Sequence, residues 1–402
     1  MRAGLAATAS AVPELLSQQE SFDVEPNAGG ADDRWLRGLI ALRNDFGITR
    51  IGSITRLDRI GIPIVQVVRP LSLSNAVSQG KGMTWGQAAA SALMETVEAW
   101  AGENILGSRL HISSIADLGP SGKLYEPWLV NGAPVDWKHR PLPWIEGWDL
   151  FSSRKTPVPT ALVDTVYTMP SPHPVMFPRT TTGMGAGRSL LQAIIHAGLE
   201  ILERDAIARA RRTRNFFDLY QVGLQVGGAG PCADLLARIR AAGLLLGLWQ
   251  APAPHDLPIY WCHLMEGGPP HELVPLPSEG FGCGFTHEHA VVKAILEACQ
   301  ARATAISGAR EDLTRFHYPP DFDRAHLAEW REQLLSAAPL LRLSSDHEEG
   351  VLPERVHMDR MLDGLRRAGA EAAVVVPLYD DVDNRIHVAR LIAPPLHLNP
   401  RD

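Results

Sequence analysis

Three stretches of the chain repeat one register of apolar and polar positions. Each begins Gly-x-Gly, leaves twelve residues, and then places a carboxylate followed three positions later by a second carboxylate or an amide. The copies are Gly80-Lys81-Gly82 with Glu95 and Glu98, Gly185-Ala186-Gly187 with Glu200 and Glu203, and Gly282-Cys283-Gly284 with Glu297 and Gln300. An alanine stands three residues before each first Glu (Ala92, Ala197, Ala294), inside an apolar period of three to four. That period predicts an amphipathic helix after each Gly-x-Gly turn. The two acidic or amide residues of each copy then share one helical face. Acidic side chains repeated beside a buried stripe attract cations, so three such helices converging on one point would hold Mg2+ and, through it, a nucleotide polyphosphate.

Between these helices the pattern switches to runs rich in β-branched and aromatic residues, bounded by Gly, Pro or Asp. Ile62 to Val68, Thr160 to Tyr167, Ile259 to Leu264, Ala372 to Pro377 and Arg385 to Ile392 read as strands. The fold class is therefore α/β, with three equivalent strand, Gly-turn and helix units. Residues 1–46 read as an N-terminal extension, partly flexible, with a Pro/Gly/Asp-rich stretch from Glu25 to Asp33 and one short helix from Trp35 to Asp45. Pro127 to Pro143 and Pro170 to Pro178 read as long loops that edge a site or are plain surface insertions.

Composition narrows the class. A net charge of −7 and scattered basic residues, apart from Arg209, Arg211, Arg212 and Arg214, argue against a nucleic-acid groove. Cys232, Cys262, Cys283 and Cys299 form no CxxC pair, no charged-then-apolar leader is seen, and no apolar run reaches membrane-spanning length. The expectation is a soluble, reduced, cytoplasmic protein with no membrane partner.

The first unit places Ser91, Glu95 and Glu98 on one stripe of a helix kept narrow by Ala88, Ala89, Ala90 and Ala92. Its glycines let backbone N–H groups approach an anion, and Lys81 adds a mobile positive charge, although the Gly-Lys-Ser/Thr of a P-loop is missing. A solvated surface face is the bland alternative. The second unit continues Gln192, His196, Glu200 and Glu203-Arg204 along one stripe, opposite an apolar face. Buried carboxylates there need cations or water; ion pairing with Arg209, Arg211 or Arg212 is the structural alternative. The third unit adds Gln300, Arg302 and Arg310, followed by Glu311 and Asp312; its arginines suit phosphate by bidentate hydrogen bonds and suit salt bridges equally. Cys283, His287 and His289 form a weak zinc pattern without a fourth ligand. No Gly-x-Ser-x-Gly elbow or kinase signature set is present, and no cysteine stands in a nucleophile motif.

Together, Gly80-Lys81-Gly82 with Ser91-x-x-x-Glu95-x-x-Glu98, Glu200-x-x-Glu203-Arg204-Asp205, Glu297-Ala298-x-Gln300-x-Arg302 and Ser307-Gly308-Ala309-Arg310-x-Asp312 resemble the YcaO family of ATP-dependent peptide-modifying enzymes. Leu57 to Pro63 looks like the entry to that family's first core strand, so the resemblance runs from about residue 47 to near the C-terminus. It implies a YcaO-like ATP-binding catalytic domain over 47–402. Ser91, Glu95, Glu98, Glu200, Glu203 and Arg204 match family positions that contact nucleotide or Mg2+, and Lys81, Arg188, Gln192, Arg302 and Arg310 join them as candidate cofactor-binding residues. Glu95, Glu98, Glu200 and Glu203 are the candidate metal ligands; no catalytic residue is singled out.

The implied chemistry is backbone-amide activation: a nucleophile adds to a peptide carbonyl, the oxyanion takes the γ-phosphate of ATP, and phosphate leaves. A neighbouring side chain as nucleophile yields an azoline, a sulfide equivalent a thioamide. Thr181-Thr182-Gly183, Arg188 and Gln192 stand where the family usually has Ser-Asn-Gly, Asn and Glu, which predicts fewer Mg2+ ions or a non-catalytic partner or scaffold subunit. The end Leu398-Asn399-Pro400-Arg401-Asp402 lacks the Pro-x-Pro-x-Pro tail of azoline-forming members, and Thr49 to Glu98 looks most like members accompanying a TfuA-type protein. The expected partners are a peptide or protein substrate, a TfuA-like or leader-peptide-binding protein, and a second copy in a homodimer.

Overall fold

A computed structural model describes residues 7–18, 29–223, 230–268, 277–310, 324–336, 341–342 and 352–399. Glu311, Asp312 and residues 400–402 lie outside the described residues. In chain order, helix α1 (Gly29–Ala41) is followed by strands β1 (Arg50–Ser53), β2 (Ile64–Val68) and β3 (Val77–Lys81), which lead into α2 (Trp85–Glu103). Strands β4 (Leu110–Ser113), β5 (Leu142–Asp149), β6 (Arg154–Pro159) and β7 (Met184–Gly187) precede α3 (Leu190–Arg212). Strands β8 (Leu244–Gln250), β9 (Ile259–Glu266) and β10 (Ser278–Cys283) precede α4 (His287–Ser307). Helix α5 (Glu354–Ala368) and the hairpin β11 (Val374–Asp381) and β12 (Ile386–Ile392) follow.

The strands form two antiparallel three-stranded sheets, β1-β2-β3 and β10-β9-β8, and a six-stranded sheet ordered β4-β5-β11-β12-β7 with β6 on β5. Each of α2, α3 and α4 therefore packs behind a three-strand group. The second group is completed from far along the chain, because β12 pairs with β7 through Ala389 opposite Gly185 and His387 opposite Gly187. Leu36, Leu39 and Phe46 are buried in one apolar cluster with Val97, Trp144 and Val376, while Val12 and Leu16 join a second cluster with Ile194 and Ile201.

The Gly-x-Gly segments are not turns. Gly80, Gly185 and Gly282 are strand residues pressed flat against the following helix. A Cβ on Gly80 would lie 2.0 Å from the Ala92 nitrogen, one on Gly185 2.1 Å from the Ala193 carbonyl oxygen, and one on Gly282 2.1 Å from the Ala290 oxygen. Backbone thus meets backbone, and only glycine on the strand with alanine on the helix permits that approach. This contact also explains the alanines at 92, 197 and 294. The turn comes after the second glycine, where Thr84, Ser189 and Thr286 cap the three helices by accepting from the N–H groups of Gln87, Gln192 and His289.

Thr160 to Tyr167 is also not a strand. The strand before it, β6, ends at Pro159 and pairs only with β5, as proline requires. A short 3-10 turn, Thr160–Leu162, follows. Beyond it side chains replace the ladder: the Thr165 hydroxyl donates to the Ala99 carbonyl at 2.8 Å, and buried Asp164 pairs with His173 and Arg179. No helix among the described residues is long and apolar enough to cross a membrane.

Candidate functional site

The three capped helices lean together so that their acidic stripes face one cleft, and each helix also reaches the strand of the next unit. Glu98 of α2 accepts a hydrogen bond from the Ala186 N–H of β7. Glu203 of α3 accepts from the Cys283 N–H of β10 at 3.0 Å. Gln300 of α4 donates to the Gln79 carbonyl of β3 at 2.9 Å, closing the ring. The other member of each pair is tied nearer home: Glu95 accepts from Gln79 N–H, Glu200 from Gly183 N–H at 3.0 Å, and Glu297 from Phe281 N–H. Each helix thus meets both its own strand and the strand of the next unit, and these paired contacts fall at the same spacing in all three copies.

Cations stand among these acids. Lys81 Nζ lies 3.6 Å from Glu297, Lys293 Nζ 3.4 Å from Glu203, and Arg204 within 3.5–3.8 Å of Glu203, Glu200 and Glu297. These cations are concentrated around Glu203 and Glu297. Despite burial, Lys81, Arg204 and Lys293 hold the Glu297 carboxyl below the usual range. Glu98 is left to burial and to repulsion from Glu95 and Glu200, which push it up to about 8. Glu95 is pushed to about 7, chiefly by burial, against the pull of Lys81 and Arg310. Its side chain nevertheless reaches solvent, so it is hemmed in on one side and open on the other. Burial also raises Glu200, against Arg204.

Carboxyls forced to hold protons by one another's charge ionise readily once a divalent cation is supplied. Among the described residues no group of three His, Cys, Asp or Glu side chains forms a metal cage by itself. That donor set fits Mg2+, which takes one or two carboxylates and fills its remaining positions with water and phosphate oxygens, and does not fit a protein-built zinc site.

The sequence candidates separate on this geometry. Lys81, Glu95, Glu98, Glu200, Glu203 and Arg204 come together in the cleft, Ser91 stands on the same stripe of α2 one turn before Glu95, and the charge of Arg310 reaches Glu95. Arg302 is elsewhere: it is buried against Asp58 at 3.0 Å and Glu266 at 2.7 Å, tying α4 to the β1–β2 connection and to β9. Arg188 precedes α3 rather than riding on it, and its guanidinium lies 4.3 Å from the Trp35 ring centre. Gln192 is the third residue of α3; its amide oxygen accepts from Arg188 N–H at 3.1 Å and its amide nitrogen donates to Glu354 of α5. Arg209, Arg211 and Arg212 go to Asp205, Glu279 and the His397 ring, so they do not neutralise the cleft.

Lys293, His196 and Arg390 were missed as site residues, as was the assignment of Glu297. The repeat already contained the signal for three of them, since Glu297 aligns with Glu95 and Glu200, and Lys293 and His196 align with Ser91. Arg390 of β12, whose charge reaches Glu98 and Glu200, had no local signal.

Residues 79–397 match a family model described as YcaO cyclodehydratase, ATP- and Mg2+-binding. An uncharacterized protein of Mycobacterium tuberculosis (strain H37Rv) is 33% identical over 380 residues, covering 92% of this chain and 82% of that protein. An uncharacterized protein of Rhizobium leguminosarum bv. trifolii, described as lying in the tfuA 3' region, is 28% identical over 371 residues, covering 88% and 85%. The structure of YcaO from Methanopyrus kandleri bound with AMPPCP and Mg2+ superposes with a TM-score of 0.68 at 22% identity, covering 92% of this chain and 91% of that one. The extent of the family match, with the same α/β fold in a solved member, establishes that this chain belongs to the YcaO family.

Proposed function

We propose that this protein uses ATP and Mg2+ to activate a backbone amide of a ribosomally made peptide or protein, phosphorylating the carbonyl oxygen and yielding a thioamide or an azoline. The observation that carries the proposal is the charge pattern of the cleft, where Glu95, Glu98 and Glu200 crowd one another while Lys81, Lys293 and Arg204 gather at Glu203 and Glu297, Arg204 also reaching Glu200. One or two of the crowded carboxylates would hold Mg2+ together with phosphate oxygens and water, and the cations would face phosphate oxygens. Bound Mg-ATP supplies the phosphoryl group and the charge that makes ADP a good leaving group. The chain's own contribution is positioning: capped helices fixed backbone-to-backbone on their strands keep the carboxylates in place without rearrangement.

The family description, cyclodehydratase, supports the reaction class, and a TfuA-like partner is supported by the Rhizobium relative. Incubation with Mg-ATP, candidate peptides encoded nearby and a sulfide source, read by mass spectrometry, tests the proposal. Loss of one water marks an azoline and exchange of oxygen for sulfur a thioamide. No Mg-ATP binding by calorimetry would remove it. A second reading, a non-catalytic partner subunit, draws support from Gln192, whose amide is occupied as a helix cap and as the partner of Glu354. Peptide-dependent ADP release by the isolated protein excludes that reading.

A further inference from the structure

The repeated spacing places a second set of side chains one turn before the carboxylates. One helical turn before Glu95, Glu200 and Glu297, about 6 Å along each axis, stand Ser91, His196 and Lys293. The carboxylate layer is chemically uniform. The layer above it holds a hydroxyl, an imidazole and an ammonium group.

His196 is the one member of that layer whose side-chain type ordinarily titrates near neutral pH. It is exposed to solvent, yet the charges of Lys293 and His289 from α4 and of Lys81 from β3 all act on it. Ser91 is its counterpart on α2, Glu200 follows it by one turn on α3, and α5 brings His357 up to His289. We propose that His196 is the proton acceptor for the nucleophile that adds to the peptide carbonyl, a role that rests on the function proposed above. As the new S–C or O–C bond forms, the S–H or O–H proton passes to the unprotonated ring nitrogen and the carbonyl π electrons move to oxygen. That oxyanion takes the γ-phosphoryl group as the bond to the ADP oxygen breaks, phosphate then leaves carbon as the amide N–H or the remaining S–H proton is lost to water, and the exposed imidazolium returns its own proton to water.

The surrounding charges link this base to the nucleotide. Although the residue reaches solvent, desolvation by the protein packed around the ring, then Lys293, Lys81 and His289, lower the imidazole to about 3, which keeps it neutral but makes it a weak base. Lys81 and Lys293 are also the cations placed to meet phosphate. Once phosphate neutralises them, the imidazole regains basicity, so His196 becomes an effective acceptor only when nucleotide is present.

The test uses the full chain, with His196→Ala and His196→Gln; the exposed helical position tolerates both. Peptide-dependent ADP release is expected to fall by about 100-fold or more in each variant. The increase in Tm caused by Mg-ATP is expected to stay at the parent value, and added imidazole to restore turnover to His196→Ala. In the parent, the His196 ring resonance followed by NMR is expected to titrate at higher pH with Mg2+ and a non-hydrolysable ATP analogue than without. Turnover of His196→Ala within about threefold of the parent, well short of a general-base effect, or loss of the Mg-ATP response in step with turnover, overturns the assignment. A parent that neither binds Mg-ATP nor turns over overturns the proposed function itself, whereas a parent active alongside an equally active His196→Ala overturns this inference alone.

Discussion

Helix α2 carries two kinds of carboxylate within two turns. Glu103, at its end, accepts from Arg69 at 2.5 and 2.6 Å, from the Ser72 and Ser74 hydroxyls at 2.8 and 2.9 Å, and from the Ser74 N–H at 3.1 Å. Burial raises its pKa, but Arg69, Ser72 and Ser74 more than offset this and hold it below the usual range. Glu98 has one backbone N–H, two neighbouring acids and a carboxyl pushed up to about 8. Acids of the same type on the same helix thus diverge according to whether donors match their lone pairs. The satisfied one ties the β2–β3 connection to the helix end; the unsatisfied one stores repulsion that a ligand releases.

The comparison predicts opposite responses to mutation. Arg69→Ala leaves Glu103 buried and unpaired and is expected to cost about 3–5 kcal/mol in urea unfolding, with Mg-ATP affinity of the folded fraction unchanged. Loss of affinity without loss of stability would place Glu103 with the cleft acids. Gly185→Ala is expected to cost about 3 kcal/mol, the upper end for overpacking, because its methyl group would meet helix backbone rather than a movable side chain. A cost near zero would show that strand and helix separate freely, and the fixed geometry of the cleft would fall with it.

Glu98→Gln sharpens the comparison through pH. The ordinary value of the carboxyl is 4.5 and its folded value about 8, so between these the folded protein holds a proton that the unfolded chain has lost. Stability contributed by that proton is lost as pH rises through about 8. The parent without ligand is expected to lose a few degrees of Tm between about pH 7 and 8.5, and Glu98→Gln to lose less. The histidines held neutral act below this window. The same variant is expected to weaken Mg2+-dependent ATP binding at least tenfold, about 1.4 kcal/mol or more. A parallel pH slope in parent and variant would break the assignment of Glu98 as the crowded acid.

The smallest effect is expected at the α3 entrance. Gln192→Ala removes a side chain that accepts from Arg188 N–H and donates to Glu354, and is expected to cost about 1 kcal/mol, as loss of a capping residue does. Gln192→Glu places a carboxylate beside Glu354 and is expected to increase the dependence of ATP affinity on Mg2+, measured by titration. Identical Mg2+ curves would assign position 192 to the helix cap alone.

Much of this was legible before the fold was seen, because it is local and repeated. Helical periodicity put Glu95 with Glu98 and Glu200 with Glu203 on shared faces, and apolar runs marked β2, β9, β11 and β12. The triple repeat identified equivalent positions without showing what they touch. Its glycines looked like anion-binding turns, since Gly-rich segments before helices commonly are; they are strand residues making room for alanine. Thr160 to Tyr167 has the composition of a strand, but it follows an edge strand with no further partner, so side-chain bonds of Asp164 and Thr165 hold it instead.

Sequence by itself determined the class of the protein, the helix faces and the uniform carboxylate layer, because spacing along a helix converts directly into direction. Only the tertiary structure decided which charges meet. It carried Arg302 away to Asp58 and Glu266, used Gln192 to cap α3, brought Lys293 to Glu203 and Arg204 to Glu297, and completed the second strand group with β12 from near the chain's end. Charge pairing acts over a few ångströms in space whatever the separation along the chain, and no local pattern encodes that distance.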